Sequence, residues 1–269
     1  MNEQREPFTV ESLTRDLREL GLSDGATVVV HSSLSAIGYV AGGAQSVVLA
    51  LLEVIGPNGT LVVPAHSGDC SDPGLWENPP VPESWWPTIR ATMPAFDPRL
   101  TSTRRMGIIA ETVRHLPGAL RSGHPSVSFC AVGPSAETIT LDHRLENEFD
   151  GLSPLARLYD LDSDILLLGV GHDCNTSLHL AESRSGTMST RRQGAPILVN
   201  GVRQWVTYDS LDASTEDFEQ VGVAAWAIDL ETVGLVGGAT TRLLKGRNFV
   251  DFAIQWFVEN RSSRPFLSR

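Results

Sequence analysis

The stretch Ile165-Leu166-Leu167-Leu168-Gly169-Val170-Gly171-His172-Asp173-Cys174-Asn175-Thr176-Ser177-Leu178-His179-Leu180-Ala181-Glu182 decides the fold. The run from Ile165 to Val170 is apolar, as in a strand buried on both faces of an α/β sheet. Gly171 stops it, and Asn175 or Thr176 is a suitable cap for a helix that starts directly afterwards. On that helix His179 and Glu182 lie three positions apart, so they share a face and are within reach of each other. Loops beyond the carboxyl ends of parallel strands are where open α/β sheets keep their ligand sites. An imidazole and a carboxylate therefore stand where chemistry is expected.

Toward the N-terminus, Thr9 can cap a helix with Val10, Leu13, Leu17 and Leu20 on its apolar stripe, ended by Gly21. Thr27 to Val30 is a β-branched strand opening into His31-Ser32-Ser33-Leu34-Ser35-Ala36-Ile37-Gly38, followed by a helix from Ala44 to Ile55. The turn Gly56-Pro57-Asn58-Gly59 leads to a strand from Thr60 to Val63, which completes a βαβ unit and points to parallel pairing. Residues 66–100 have no period and hold seven prolines and three tryptophans. Such a segment is either mobile or a cover over substrate, with tryptophans that shield the core edge as the plainer alternative. Helices are expected over 107–116, 135–141 and 153–158, the last with Pro154 at its first position, and a strand over 127–132. Asn200-Gly201 between Ile197–Val199 and Val202–Tyr208 is a hairpin signal. Helices over 216–230 and 248–259 close the chain. With no repeat or linker, residues 1–269 read as a single α/β domain. Its expected form is a central mixed, largely parallel sheet flanked by helices in three αβα layers, with an inserted β-hairpin near 197–208.

Composition is that of an ordinary soluble protein, with 41% hydrophobic and 20% charged residues. No membrane-length apolar run or signal peptide is present, and three cysteines without metal spacing fit a reducing cytoplasm. Twenty-one Lys plus Arg against 32 Asp plus Glu give a net charge of −11, which disfavours nucleic acid and permits a cationic substrate. Association as a homodimer is left open.

His179 with Glu182 has the form of a general base with its supporting carboxylate; the plainer reading is a surface His–Glu pair. Cys174 is the rival, as a nucleophile near a helix start or as a small buried thiol. His172 and Asp173 suggest metal only weakly, and no ligand set has metal spacing. The His31–Gly38 loop, with Gly42 and Gly43, offers amides, hydroxyls and a helix start that suit phosphates, without a Walker A or G-x-G-x-x-G pattern. Arg121 to Pro125 either supplies a phosphate-binding arginine or is a turn before the strand at Val127, and Gly151 to Pro154 is either a cap or a site loop.

Taken together, the segments resemble the aminoglycoside 3-N-acetyltransferase family. The resemblance rests on Val29-Val30-His31-Ser32-Ser33-Leu34 with Gly38, Gly56 to Val62, Phe96-Asp97-Pro98, Thr103 with Met106-Gly107, and Arg121 to Pro125. It continues through Ser153-Pro154, Leu166 to Glu182, Tyr208-Asp209 and Val236-Gly237-Gly238-Ala239. Leu167 to Asp173, ending at His179-Leu180-Ala181-Glu182, is most similar to the branch that also accepts apramycin. The resemblance implies an acetyl-CoA-dependent acyltransferase with an α/β fold unrelated to the GNAT enzymes, and no metal. It places the general base on His179 and its carboxylate on Glu182. It places cofactor contacts on His31, Ser32, Ser33, Leu34, Ile37, Gly38 and Thr103. His66 stands where some members carry an aromatic residue, which bears on substrate preference.

A polycationic substrate asks for carboxylates, and Asp69, Asp150, Asp173 and Asp209 lie in the loops expected around the cleft. The expected reaction is N-acetylation of the 3-amino group of the 2-deoxystreptamine ring of an aminoglycoside. Alternatives are the same chemistry on another amine metabolite, a hydrolase or acyl-enzyme transferase using Cys174 and His179, and a non-catalytic CoA-binding protein.

Overall fold

A computed structural model describes residues 6–261 of the chain. Helix α1 (Val10–Leu20) starts where two side chains cap each other. The Ser12 amide donates to the Thr9 hydroxyl at 3.2 Å, and the Thr9 amide donates to Ser12 Oγ at 2.9 Å. Gly21 ends the helix with a φ of 110°, a conformation that favours glycine. Strand β1 (Thr27–Ser32), the single turn α2 (Leu34–Ile37), α3 (Ala44–Ile55) and β2 (Thr60–Pro64) follow, as the βαβ reading expects. The proline-rich segment is not featureless, since it holds two 3-10 turns and α4 (Trp86–Thr92). Next come α5 (Gly107–Arg114), β3 (Leu120–Arg121), β4 (Phe129–Val132), α6 (Ala136–Thr140) and α7 (Pro154–Asp160). The stretch that opened the sequence analysis becomes β5 (Asp164–Leu168), a 3-10 turn at His172–Cys174 and α8 (Ser177–Ser185). The chain continues through β6 (Thr190–Val199), β7 (Val202–Leu211), α9 (Phe218–Trp226), β8 (Glu231–Val236), β9 (Ala239–Lys245) and α10 (Gly246–Arg261).

The main sheet has the order β3-β4-β2-β1-β5-β9-β8. It is mixed, as expected, but its parallel part is the centre alone. There β1 pairs in parallel with β2 and with β5, and the remaining neighbours are antiparallel. The difference arises at the flanks. Strands β8 and β9 form a hairpin that the sequence reading had not assigned. The β8 segment, Glu231-Thr232-Val233-Gly234-Leu235-Val236, sits at the sheet edge and carries no regular apolar alternation. The inserted hairpin is a separate sheet and is longer than 197–208, running over β6 and β7. Its turn has φ 51° at Asn200 and 78° at Gly201, the pair of left-handed residues that a tight hairpin requires.

Successive side chains of the central strands point to opposite faces. Val28, Val30, Leu61, Val63, Leu166 and Leu168 pack with α1, α3 and α5. Val29, Val62, Ile165 and Leu167 pack with residues of α6 to α10. Every residue of β5 is therefore buried, which is why its sequence is an unbroken apolar run after Asp164. Helices cover both faces of the sheet in three layers.

Candidate active site

Strands β1, β2 and β5 run parallel, so their carboxyl ends meet along one side of the sheet. There β1 delivers His31 and Ser32, β2 leads through Pro64 to His66, and β5 leads through Gly169 to α8. A cleft of about 840 Å³ opens at this side, with His66, Asp69, Met106, Glu148, Phe149 and His179 among its walls.

His179 Nδ1 lies 2.5 Å from Glu182 Oε2. A carboxylate only accepts, so Nδ1 carries the hydrogen and Nε2 keeps the lone pair. The other Glu182 oxygen accepts from Arg261 Nη1 at 2.5 Å. Arg261 also forks onto Asp217, with Nε to Oδ2 at 2.9 Å and Nη2 to Oδ1 at 2.5 Å. The imidazole stacks on Phe149 at 4.8 Å between centroids and leans on Phe218 at 5.0 Å, which fixes the ring plane. The His179 side chain is 12% exposed and that of Glu182 only 1%. One imidazole edge is thus presented to the cleft, backed by a carboxylate that water does not reach.

Ser32, Ser33 and Leu34 are half-buried, and Ser33 Oγ lies 3.1 Å from Ser35 Oγ. His31 is buried, 3.4 Å from the Thr176 hydroxyl, and burial with the nearby His179 pushes it down to about 3. It is a neutral wall. Ile37 is fully buried in the core, so its side chain offers no surface on the loop. Gly38 packs against Phe8 with a φ of 95°. The Thr103 hydroxyl donates to Glu111, a carboxylate that Arg114 holds as well. Its neighbours Arg105 and Met106 line the cleft instead, and Gly107 approaches the Ser32 carbonyl.

Of the residues expected to meet substrate, His66 and Asp69 line the cleft, Asp69 paired with Arg104 at 2.6 Å. His66 is pushed down to about 3, mainly by burial. Asp150 pairs with Arg184 at 3.0 Å, and Asp209 pairs with Arg192 at 3.1 Å on the hairpin. Asp173 sits on the exposed 3-10 turn, where its amide donates to Glu219. None of these three lines the cleft. Cys174 is exposed, and burial of its thiol with the adjacent Asp173 pushes it up to about 11, the opposite of an activated nucleophile. Among the described residues no group of three His, Cys, Asp or Glu side chains could hold a metal.

Sequence reasoning missed Phe149, Arg261, Asp217 and Glu148. Arg261 lies 79 positions from Glu182, so no local pattern announces it. Glu148 had a signal, the acidic run Glu146-x-Glu148-x-Asp150 just before Gly151, but only Asp150 was taken from it. Glu148 is 2% exposed, and its Oε1 accepts from Ser210 Oγ at 2.5 Å and from the Leu211 amide at 3.0 Å.

A sequence profile of the aminoglycoside 3-N-acetyltransferases matches residues 29–258. The chain is 46% identical over 257 residues to the SPbeta prophage-derived aminoglycoside N(3')-acetyltransferase-like protein YokD of Bacillus subtilis strain 168, covering 95% of this chain and 94% of that one. The crystal structure of YokD superposes with a TM-score of 0.94 over 97% of both chains. Aminoglycoside N(3)-acetyltransferase VII of Streptomyces paromomycinus is 37% identical, over 94% of this chain and 92% of its own. Two further solved structures carry ligands. AAC-IIIb with CoASH is 28% identical with a TM-score of 0.85, over 97% of this chain and all of that chain. AAC-VIa bound to sisomicin is 31% identical with a TM-score of 0.85, over 96% of this chain and all of that chain.

Proposed function

The chain belongs to the aminoglycoside 3-N-acetyltransferase family, and we propose that it moves an acetyl group from acetyl-CoA to the 3-amino group of a 2-deoxystreptamine aminoglycoside, with His179 as general base. The observation that carries this reading is the His179–Glu182 pair, whose carboxylate is buried and whose imidazole edge faces the cleft.

His179 Nε2 takes a proton from the 3-amine, which has to be neutral to attack. Glu182, held by Arg261, stabilises the imidazolium that forms. The amine nitrogen bonds to the thioester carbonyl carbon, the C–S bond breaks, and the proton on His179 passes to the departing CoA sulfur. Phe149 and Phe218 keep the ring aimed during both transfers. The half-buried hydroxyls of Ser32 and Ser33 and the adjoining Arg105–Gly107 segment are suited to hold the CoA arm, since they lie beside the cleft and Arg105 offers a cation to phosphate. The relative bound to CoASH supports this part, and the relative bound to sisomicin supports the drug. The 66–100 segment, which supplies His66, Asp69, Trp76 and Asn78 to the cleft wall, covers the substrate.

The test is release of free CoA thiol from acetyl-CoA with gentamicin, apramycin and neomycin offered separately beside a no-amine control. Drug-dependent release is expected. Release without drug would point to a hydrolase, and no release with any of the three would send the search to another amine.

A further inference from the structure

The cleft wall contains an unusual carboxylate. Glu148 Oε1 is satisfied by the hairpin, from Ser210 and Leu211, but Oε2 is buried without a hydrogen-bond partner. Buried acceptors are ordinarily satisfied, so one without a partner on a residue of the cleft wall calls for an explanation. The nearest cation it feels, Arg191, is already bridged to Asp212 at 3.3 Å and makes no hydrogen bond to Glu148. Burial pushes the carboxyl above its ordinary range, as expected for an anion that lacks its counter-ion. Its neighbour Phe149 is the ring stacked on His179, and all three residues line the same cleft. An alkylammonium group has three hydrogens to donate and no acceptor, which complements such an oxygen.

We propose that Glu148 Oε2 is an ammonium subsite of the cleft, receiving a protonated amine of the substrate other than the one that is acetylated. This rests on the aminoglycoside reading above and deepens it. Oε2 has no protein hydrogen bond to give up, so an incoming ammonium gains a charge-assisted hydrogen bond without breaking one. The subsite ties recognition to the hairpin as well, because the same carboxylate anchors β7 through Ser210 and Leu211.

The experiment is calorimetric titration of sisomicin into the full chain without acetyl-CoA, together with steady-state transfer kinetics, for wild type, Glu148→Gln and Glu148→Asp. Gln keeps the shape and loses the charge, whereas Asp keeps the charge. The expected result is that Gln weakens sisomicin about tenfold or more and raises its KM in step, with Asp within about threefold of wild type and the KM for acetyl-CoA unchanged in both. Sisomicin affinity unchanged in Gln would overturn the proposal. So would an Asp variant as weak as Gln with a lowered unfolding midpoint, because that pattern marks a hairpin anchor. If wild type binds sisomicin but transfers nothing, the transfer reading fails while the Gln titration still decides the subsite. If wild type neither binds nor transfers, both are overturned.

Discussion

Two histidines seven positions apart, His172 and His179, each meet a buried glutamate backed by an arginine. His179 has Glu182 at 2.5 Å and Arg261 beyond it. His172 has Glu231 at 3.0 Å, with Arg242 3.6 Å from the other Glu231 oxygen. The chemical composition is the same, and the settings differ. His172 is 2% exposed, packed under Gly222 of α9 and against the Phe249 ring, with its Nδ1 buried and unpartnered. His179 keeps an edge in the cleft. What separates the two arrays is access to the cleft, not residue types, and the proposed base is the one that has it. The inner array joins β8 to the turn that follows β5, while the outer one borders the cleft.

The sharpest way to break this contrast is His179→Ala. Turnover should fall by roughly 10²–10⁴-fold, the usual worth of a positioned general base, with acetyl-CoA affinity nearly intact. A variant with wild-type turnover would erase the distinction between the two arrays.

The buried imidazoles that face no carboxylate sharpen it next. His31 and His66 are pushed down to about 3 and His143 to about 4, each chiefly by burial, and none has a carboxylate partner. The unfolded chain takes up these protons from pH ~6.5 downward and the folded chain only near the lowered values, so stability is full above ~6.5 and is lost as the pH falls. Each group contributes up to ~1.4 kcal/mol per pH unit inside that window. Denaturant midpoints measured from pH 7 to pH 5 should decline steadily; a flat profile would mean that these rings take up protons as readily in the fold as in the unfolded chain.

The inner array supplies the third test. His172→Ala leaves Glu231 half-paired beside a cavity and should lower stability by about 2–4 kcal/mol, with turnover per folded molecule close to wild type. Lost turnover at unchanged stability would assign His172 a part in the chemistry. The smallest effect belongs to Cys174→Ser. Its thiol stands near 11, so rates should be unaltered and initial-velocity patterns sequential. Ping-pong patterns in the wild type would revive the acyl-enzyme route.

Much of this was legible in the chain because it is local. The caps at Thr9 and Ser153, the βαβ unit and the apolar β5 each follow from neighbouring residues and appear where expected. The edge hairpin of β8 and β9 was not legible, since half-exposed strands show no clean alternation. The substrate carboxylates divided for a similar reason. A sequence shows that an aspartate lies in a loop, but not that Arg184 or Arg192 already neutralises it from 34 or 17 positions away.

The pairing of His179 with Glu182 was determined by sequence alone, because the pitch of a helix places residues three apart on one face. Tertiary structure alone decided which end of that imidazole meets the cleft. It also decided that Arg261 and Asp217 brace the carboxylate, that His172 is sealed by Gly222, and that Glu148 rather than Asp150 turns its carboxylate to the cleft wall. Helix geometry acts over a few residues. Burial, counter-ion and access are set by elements that the chain brings together from far apart, and these decide which charged groups are left free to react.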